Sequence, residues 1–132
     1  MFDSGVNPVT ASASTGGIYL NQPTGNLLTS KYVLSSAGTG QAISLATTNG
    51  SITIDSTAGF DLNTNNDSFS FTTAGTAQDI AFASGITLTA GGLNLAGTGN
   101  ATFNAGTVTL STPVTSTTMP VNIGGATVNF NN

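Results

Sequence analysis

The sequence lacks most of the side chains on which catalysis and metal binding depend. Its 132 residues include no Cys, His, Arg, Glu or Trp, and they include a single Lys. Without Cys there are neither disulfides nor thiolate metal ligands. Without His, acid–base chemistry at neutral pH would rest on Asp, Tyr or that Lys, and a Ser-His-Asp triad is excluded. We therefore predict that the chain is not an enzyme and needs no cofactor.

Charge is equally scarce, and its absence bears on the choice of partner. Charged residues make up 5% of the chain and the net charge is -4, whereas about 25% is ordinary for globular proteins. One Lys cannot neutralise a phosphate backbone, so no nucleic acid partner is expected. No apolar run approaches the roughly 20 residues of a membrane-spanning helix, so no membrane partner is expected either. A hydrophobic fraction of 38% also argues against disorder.

What the sequence does contain is a recurring apolar–polar–apolar triplet. Examples are Ile86-Thr87-Leu88, Leu93-Asn94-Leu95 and Val108-Thr109-Leu110, and small residues, Gly and Asn separate the triplets. Large apolar residues at alternate positions are typical of a strand with one buried face, whereas a helix would need them three and four apart. The pattern predicts an all-β chain whose exterior is Thr, Ser and Asn.

The spacing of the triplets favours a short-strand β-helix or similar solenoid. Taken three at a time, triplets starting at Ile43, Phe69 and Leu93 recur at roughly 21 to 28 residues, a length typical of one coil. Glycine-rich corners such as Gly91-Gly92 leave no room for long crossovers. A β-sandwich or jelly roll is the alternative, with residues 112–120 as its one long connection. An intertwined trimeric β-fold is a third possibility.

Two local turns are also predicted. Asn21-Gln22-Pro23-Thr24-Gly25 has the composition of a turn between the first two strands. Asn49-Gly50 is a two-residue pair of the kind that closes a tight β-hairpin.

The chain divides into residues 1–16, an extended N-terminal arm, and residues 17–132, one all-β domain. The arm is rich in Gly, Ser, Thr, Ala and Asn. Such a terminus either frays or becomes ordered on a neighbouring subunit. We predict the second, with a partner-binding segment whose anchors are Phe2, Val6, Pro8 and Val9.

One stretch has the spacing of a weak metal site. Asp61, Asn63, Asn65 and Asp67 place oxygen ligands at alternate positions, as at the start of a Ca²⁺ loop. The match fails at Asn66, where the loop needs Gly, and at Thr72, where it needs Glu. We interpret the stretch as an Asx-rich turn, with Ca²⁺ binding as the alternative and no other metal site.

Sheet edges provide the main argument for assembly. Natural proteins protect such edges with Lys, Pro or bulges, and this chain has little charge to do so. Its edges should be covered by the arm or by another copy, so we predict a homo-oligomer, a trimer in the favoured interpretation.

Two resemblances extend this interpretation. The segment 85–97, GITLTAGGLNLAG, with AGTVTL at 105–110, resembles the coils of filamentous-haemagglutinin-type β-helices, which implies an extracellular or cell-surface adhesin or fibre. The small size, the Thr/Gly/Ala-rich pattern and the arm are similar to the capsid decoration (cement) proteins of tailed phages. That likeness implies a homotrimer on the major capsid protein or another virion protein.

Localisation follows from the same alternatives. The start Met1-Phe2-Asp3 has no basic segment followed by an apolar one, so no secretory signal is recognised. The favoured prediction is a structural subunit of a virion, assembled in the host cytoplasm. The alternative is a subunit or fragment of an extracellular fibre.

Overall fold

The computed structural model describes residues 8–38, 40–62, 68–89, 92–103, 106–111, 114–116, 121–123 and 126–130, with side chains described for 8–38, 40–60, 68–86 and 92–102. These residues form one 3-10 turn, Thr29–Lys31, and sixteen strands. The strands are β1 (Val9–Ala13), β2 (Ile18–Thr24), β3 (Leu27–Leu28), β4 (Tyr32–Ser36), β5 (Ala42–Asn49), β6 (Ile52–Ile54), β7 (Phe60–Leu62), β8 (Ser68–Thr73), β9 (Ile80–Phe82), β10 (Thr87–Thr89), β11 (Gly92–Ala96), β12 (Ala101–Phe103), β13 (Gly106–Ser111), β14 (Val114–Ser116), β15 (Val121–Ile123) and β16 (Ala126–Phe130). The predicted all-β class is confirmed.

Every third strand returns to the same face, and all the strand pairs among the described residues are parallel. Face 1 has the order β14-β11-β8-β5-β2, and face 2 has the order β15-β12-β9-β6-β3. Face 3 holds two three-stranded ladders, β1-β4-β7 and β10-β13-β16. Consecutive strands therefore lie on different faces, and the chain winds as a parallel β-solenoid. This confirms the favoured fold over a sandwich or jelly roll.

The strand register confirms the predicted repeat. On face 1, Ile18 lies opposite Ile43, 25 residues later, and Ile43 lies opposite Phe69 after a further 26. Leu93 follows after 24 residues in the same row. Because a one-residue slip would turn every apolar side chain outward, the alternating pattern fixes this register.

Of the two local turn predictions, the first is correct only at Gly25 and the second is wrong. β2 continues through Thr24, so Asn21–Thr24 is extended and the chain bends only at Gly25, where φ is +83°. Asn49-Gly50 closes no hairpin, because β5 and β6 lie on different faces. Both errors have one cause: a solenoid corner uses the same Asn and Gly residues as a hairpin turn.

The core is a column of large apolar side chains shared by the three faces. Phe60 of face 3 packs on Phe69 of face 1, with ring centroids 5.1 Å apart, and Phe71 meets Phe82 of face 2 edge-on at 6.4 Å. Each fully buried side chain of this size contributes about 1.5–3 kcal/mol. The buried apolar residues are Ile18, Leu27, Tyr32, Leu34, Ile43, Leu45, Ile52, Ile54, Phe69, Phe71, Ile80, Phe82, Ile86, Leu93, Leu95 and Ala101.

Candidate functional site: the corners and the first coil

Of the four predicted calcium ligands, only the backbone of Asp61 lies in the described part of the chain. The backbone of Asp61 lies in β7, opposite Ser35 of β4. Asn63, Asn65 and Asp67 lie outside the described residues. Among the residues that are described, no three His, Cys, Asp or Glu side chains are grouped to hold a metal ion. The Ca²⁺ site stays a prediction.

Part of the predicted N-terminal arm belongs to the solenoid. Val9 begins β1, which pairs in parallel with β4, and Val9 lies opposite Tyr32. Val9 is half-buried against the core, whereas Pro8, directly before it, is exposed. Phe2 and Val6 lie outside the described residues. Residues 9–13 therefore pack on their own chain, and a partner for the arm stays a prediction.

The connection between face 1 and face 2 carries a polar ladder that runs along the solenoid. We call it the glycine corner (residues 25–26, 50–51, 74–79 and 97–100). The Ser51 backbone N–H donates to Asn26 Oδ1 at 3.0 Å, and the Asp79 N–H donates to Ser51 Oγ at 3.1 Å. The Asn100 N–H then donates to Asp79 Oδ1 at 2.7 Å. One polar side chain per coil thus satisfies a backbone donor of its neighbour.

Close backbone approach explains the glycines at this corner. A Cβ on Gly50 would lie 2.0 Å from the Gly25 carbonyl oxygen, and one on Gly99 would lie 2.2 Å from that of Gln78. Beneath the corner the Thr73 hydroxyl, in a nearly fully buried side chain, donates to the Gln78 carbonyl at 3.1 Å. At this corner the backbones of neighbouring coils approach closely, and a buried hydroxyl hydrogen-bonds to the corner backbone from the core side.

The connection between face 2 and face 3 is braced by hydroxyls and one carboxylate. We call it the hydroxyl corner (residues 29–31, 55–59 and 83–86). The hydroxyl of Thr29, which is 1% exposed, donates to the Ser56 carbonyl at 2.6 Å and accepts from the Asp55 and Ser56 N–H groups at 3.1 and 3.2 Å. The Ser30 hydroxyl donates to Asp55 Oδ2 at 2.6 Å, and the Ser30 N–H donates to Oδ1 at 2.8 Å.

These contacts lower the pKa of the Asp55 carboxyl. Partial burial raises the pKa of its carboxyl, but the hydrogen bonds from Ser30 and Thr29 outweigh it and hold the pKa below the ordinary Asp value. The carboxylate is therefore ionised at neutral pH and a weak base. A Ser–Asp pair of this kind has no His to move a proton, so the geometry supports bracing rather than nucleophilic catalysis.

Sequence reasoning missed both corner networks. In the structure the Ser30 side chain bonds to Asp55 in the next coil. A usable signal was present, because Thr29-Ser30 and Asp55-Ser56 are one 26-residue repeat apart, as the Leu34–Phe60 pairing shows.

The first coil, which we define as β2, β3 and β4, differs from the coils that follow it on its outer surface. Its outward side chains Tyr19, Leu28 and Val33 are 72%, 37% and 40% exposed. They are the large apolar side chains that reach solvent among those described. Inside, Tyr32 is buried and its hydroxyl donates to Gln22 Oε1 at 3.1 Å. This contact ties face 3 to face 1 near the N-terminal end.

Comparison with known proteins gives no match. No family model, no curated protein and no solved structure is similar to the chain. In the parts of the chain that the structure describes, no helix is long and apolar enough to cross a membrane. The function must therefore be argued from the solenoid and its surfaces.

Proposed function

We propose that the chain is a non-catalytic structural unit of a fibre or adhesin-type surface structure built from stacked β-coils. The observation that carries the proposal is the parallel solenoid itself, with its continuous apolar column and a polar ladder at the corner. In a solenoid each coil contacts only its neighbours, so the fold is better suited to a long, stiff structural element than to a concave active site.

The outward side chains support a structural role. On face 1 the row beside Tyr19 continues as Ser44, Ser70 and Asn94, and Asn94 donates to Ser70 Oγ at 3.2 Å. These groups are uncharged and bond along the solenoid. In the described residues, the shortest carboxylate–hydroxyl pair, Asp55 with Ser30, is used as a brace.

The test is to find where the chain resides. Antibodies raised against the folded chain should label fibres or the outer surface of cells or particles by immunogold electron microscopy. The chain should sediment with that fraction after gentle lysis. A chain recovered only among freely diffusing proteins, with no labelled structure, would contradict the proposal.

Capsid decoration is the second candidate, and the placement of β1 favours it in one respect. Because β1 is anchored on β4, a segment that precedes Val9 would be attached at a fixed point of the solenoid, as a clamping arm would need. Deleting residues 1–7 tests this without removing β1. The truncated chain should keep its thermal unfolding midpoint but lose binding to undecorated capsids, and normal binding would contradict the arm hypothesis.

A further inference from the structure

The N-terminal end of the solenoid presents a ring of strand edges. β1, β2 and β3 are consecutive in the chain and stand at the end of their ladders, one on each face. Among the described residues each pairs with a single strand, β4, β5 and β6 respectively. A strand edge of this kind is a template for pairing with further strands.

Two exposed apolar side chains lie on these end strands. Tyr19 stands on β2 of face 1 and Leu28 on β3 of face 2, whereas Val33 of β4 lies one strand in from the end of face 3, opposite Thr10 of β1. In the next coil, the positions opposite Tyr19 and Leu28 are Ser44 and Thr53. A partner docking from the side would need these side chains on one face. Their distribution around the solenoid fits a partner that stacks on the end.

The far end of the solenoid offers complementary edges. β14, β15 and β16 stand at the other end of the same three faces. No residue from Ile80 to Asn132 is charged. Edge charge is one of the protections against pairing, and this end lacks it.

We propose that the β1–β3 end of one copy stacks on the β14–β16 end of a second copy, in the parallel sense of the coils within the chain. Three edges around a solenoid can be paired at once only by another coil of similar cross-section, which a second copy supplies. The outward side chains Tyr19 and Leu28 then become cross-strand neighbours of the added coil. Because the interface joins unlike ends, it propagates as a filament. This inference rests on the proposed structural role and names its partner.

Sedimentation velocity of the full chain, from about 5 to 500 µM, tests the proposal. The mean mass should rise with concentration beyond that of a dimer. The double variant Tyr19→Ser/Leu28→Thr gives the first coil the residues that the chain uses in the next one. Two lost cross-strand contacts should weaken association about tenfold. Ala81→Thr, an outward change in a middle coil, is the matched control and should assemble as the unchanged chain does.

The single variant Tyr19→Lys provides a second route, since a 72% exposed side chain can be replaced without disturbing the core. A charge on the edge strand should reduce assembly while the thermal midpoint stays constant. Assembly that stops at a dimer would indicate two like ends and overturn the proposal. A monomer throughout the range, or equal assembly of the variants and the unchanged chain, would overturn it too. Surface labelling of fibres would be unaffected by any of these results, so the two proposals fail separately.

Discussion

The glycine corner and the hydroxyl corner turn the same chain by different means. At the glycine corner, Gly50 and Gly99 allow the backbone of one coil to approach a carbonyl oxygen of the preceding coil closely. One polar side chain per coil accepts a hydrogen bond from a backbone N–H of the next coil. The hydroxyl corner also has a tight glycine, Gly59, but its distinctive feature is a dense cluster of Thr29, Ser30 and Asp55.

The comparison shows two ways to satisfy backbone groups where strands end. The glycine corner relies on the absence of a Cβ and repeats through the successive coils of face 1 and face 2. The hydroxyl corner relies on particular side chains, and at the equivalent place in the next coil Ala83 simply donates its N–H to the Ile54 carbonyl at 2.9 Å. Substitutions should therefore damage the first corner by crowding and the second by leaving donors unpaired.

The largest effect is expected at Gly50. Gly50→Ala would place a Cβ 2.0 Å from backbone that cannot rotate away, so one coil must shift against the other. We expect a loss of about 3 kcal/mol in the free energy of unfolding, measured by chemical denaturation. Gly92→Ala is the control, because its Cβ would meet Ser68 Cβ at 3.5 Å, an ordinary contact. Equal losses in both variants would show that close approach is not the cause.

Thr29→Val should cause the next largest loss in the free energy of unfolding. The substitution keeps the shape of a side chain that is 1% exposed but leaves the Asp55 and Ser56 N–H groups without their acceptor. Unpaired buried donors cost about 1–3 kcal/mol, which the same denaturation measurement resolves. Thr29→Ser retains the hydroxyl and should recover most of the stability. Equal losses of stability in Thr29→Val and Thr29→Ser would show that the Thr29 hydroxyl does not stabilise this corner.

The sequence predicts the repeat more securely than it predicts the corners. Rows such as Ile43, Phe69 and Leu93 are set by alternation and by a constant step, and both can be read without coordinates. The hairpin predicted at Asn49-Gly50 was wrong because Gly favours any sharp bend. Only the strand with which the next segment pairs distinguishes a hairpin from a coil corner. The Thr29–Asp55 contact joins residues 26 apart, so it emerges only after the repeat has been aligned.

Asp79 tests whether the polar ladder of the glycine corner contributes to stability. Its carboxylate accepts the Asn100 N–H at 2.7 Å in an exposed position, so Asp79→Ala should cost about 1 kcal/mol. Asp79→Asn keeps an acceptor oxygen and should lose much less, as read from the thermal unfolding midpoint. If Asp79→Asn lost as much stability as Asp79→Ala, the stabilisation would come from the charge of Asp79 and not from its acceptor oxygen.

The smallest effect is expected from titrating the hydroxyl corner. Because hydrogen bonds hold the pKa of folded Asp55 below that of the unfolded chain, the stabilisation is complete above the unfolded pKa of about 3.9. It is lost as the pH falls through the lower, folded pKa. Thermal midpoints measured from about pH 6 to pH 2 should therefore fall less steeply for Asp55→Asn than for the unchanged chain. The difference is small because Asp55 is exposed, and identical slopes would mean that the carboxylate does not stabilise this corner.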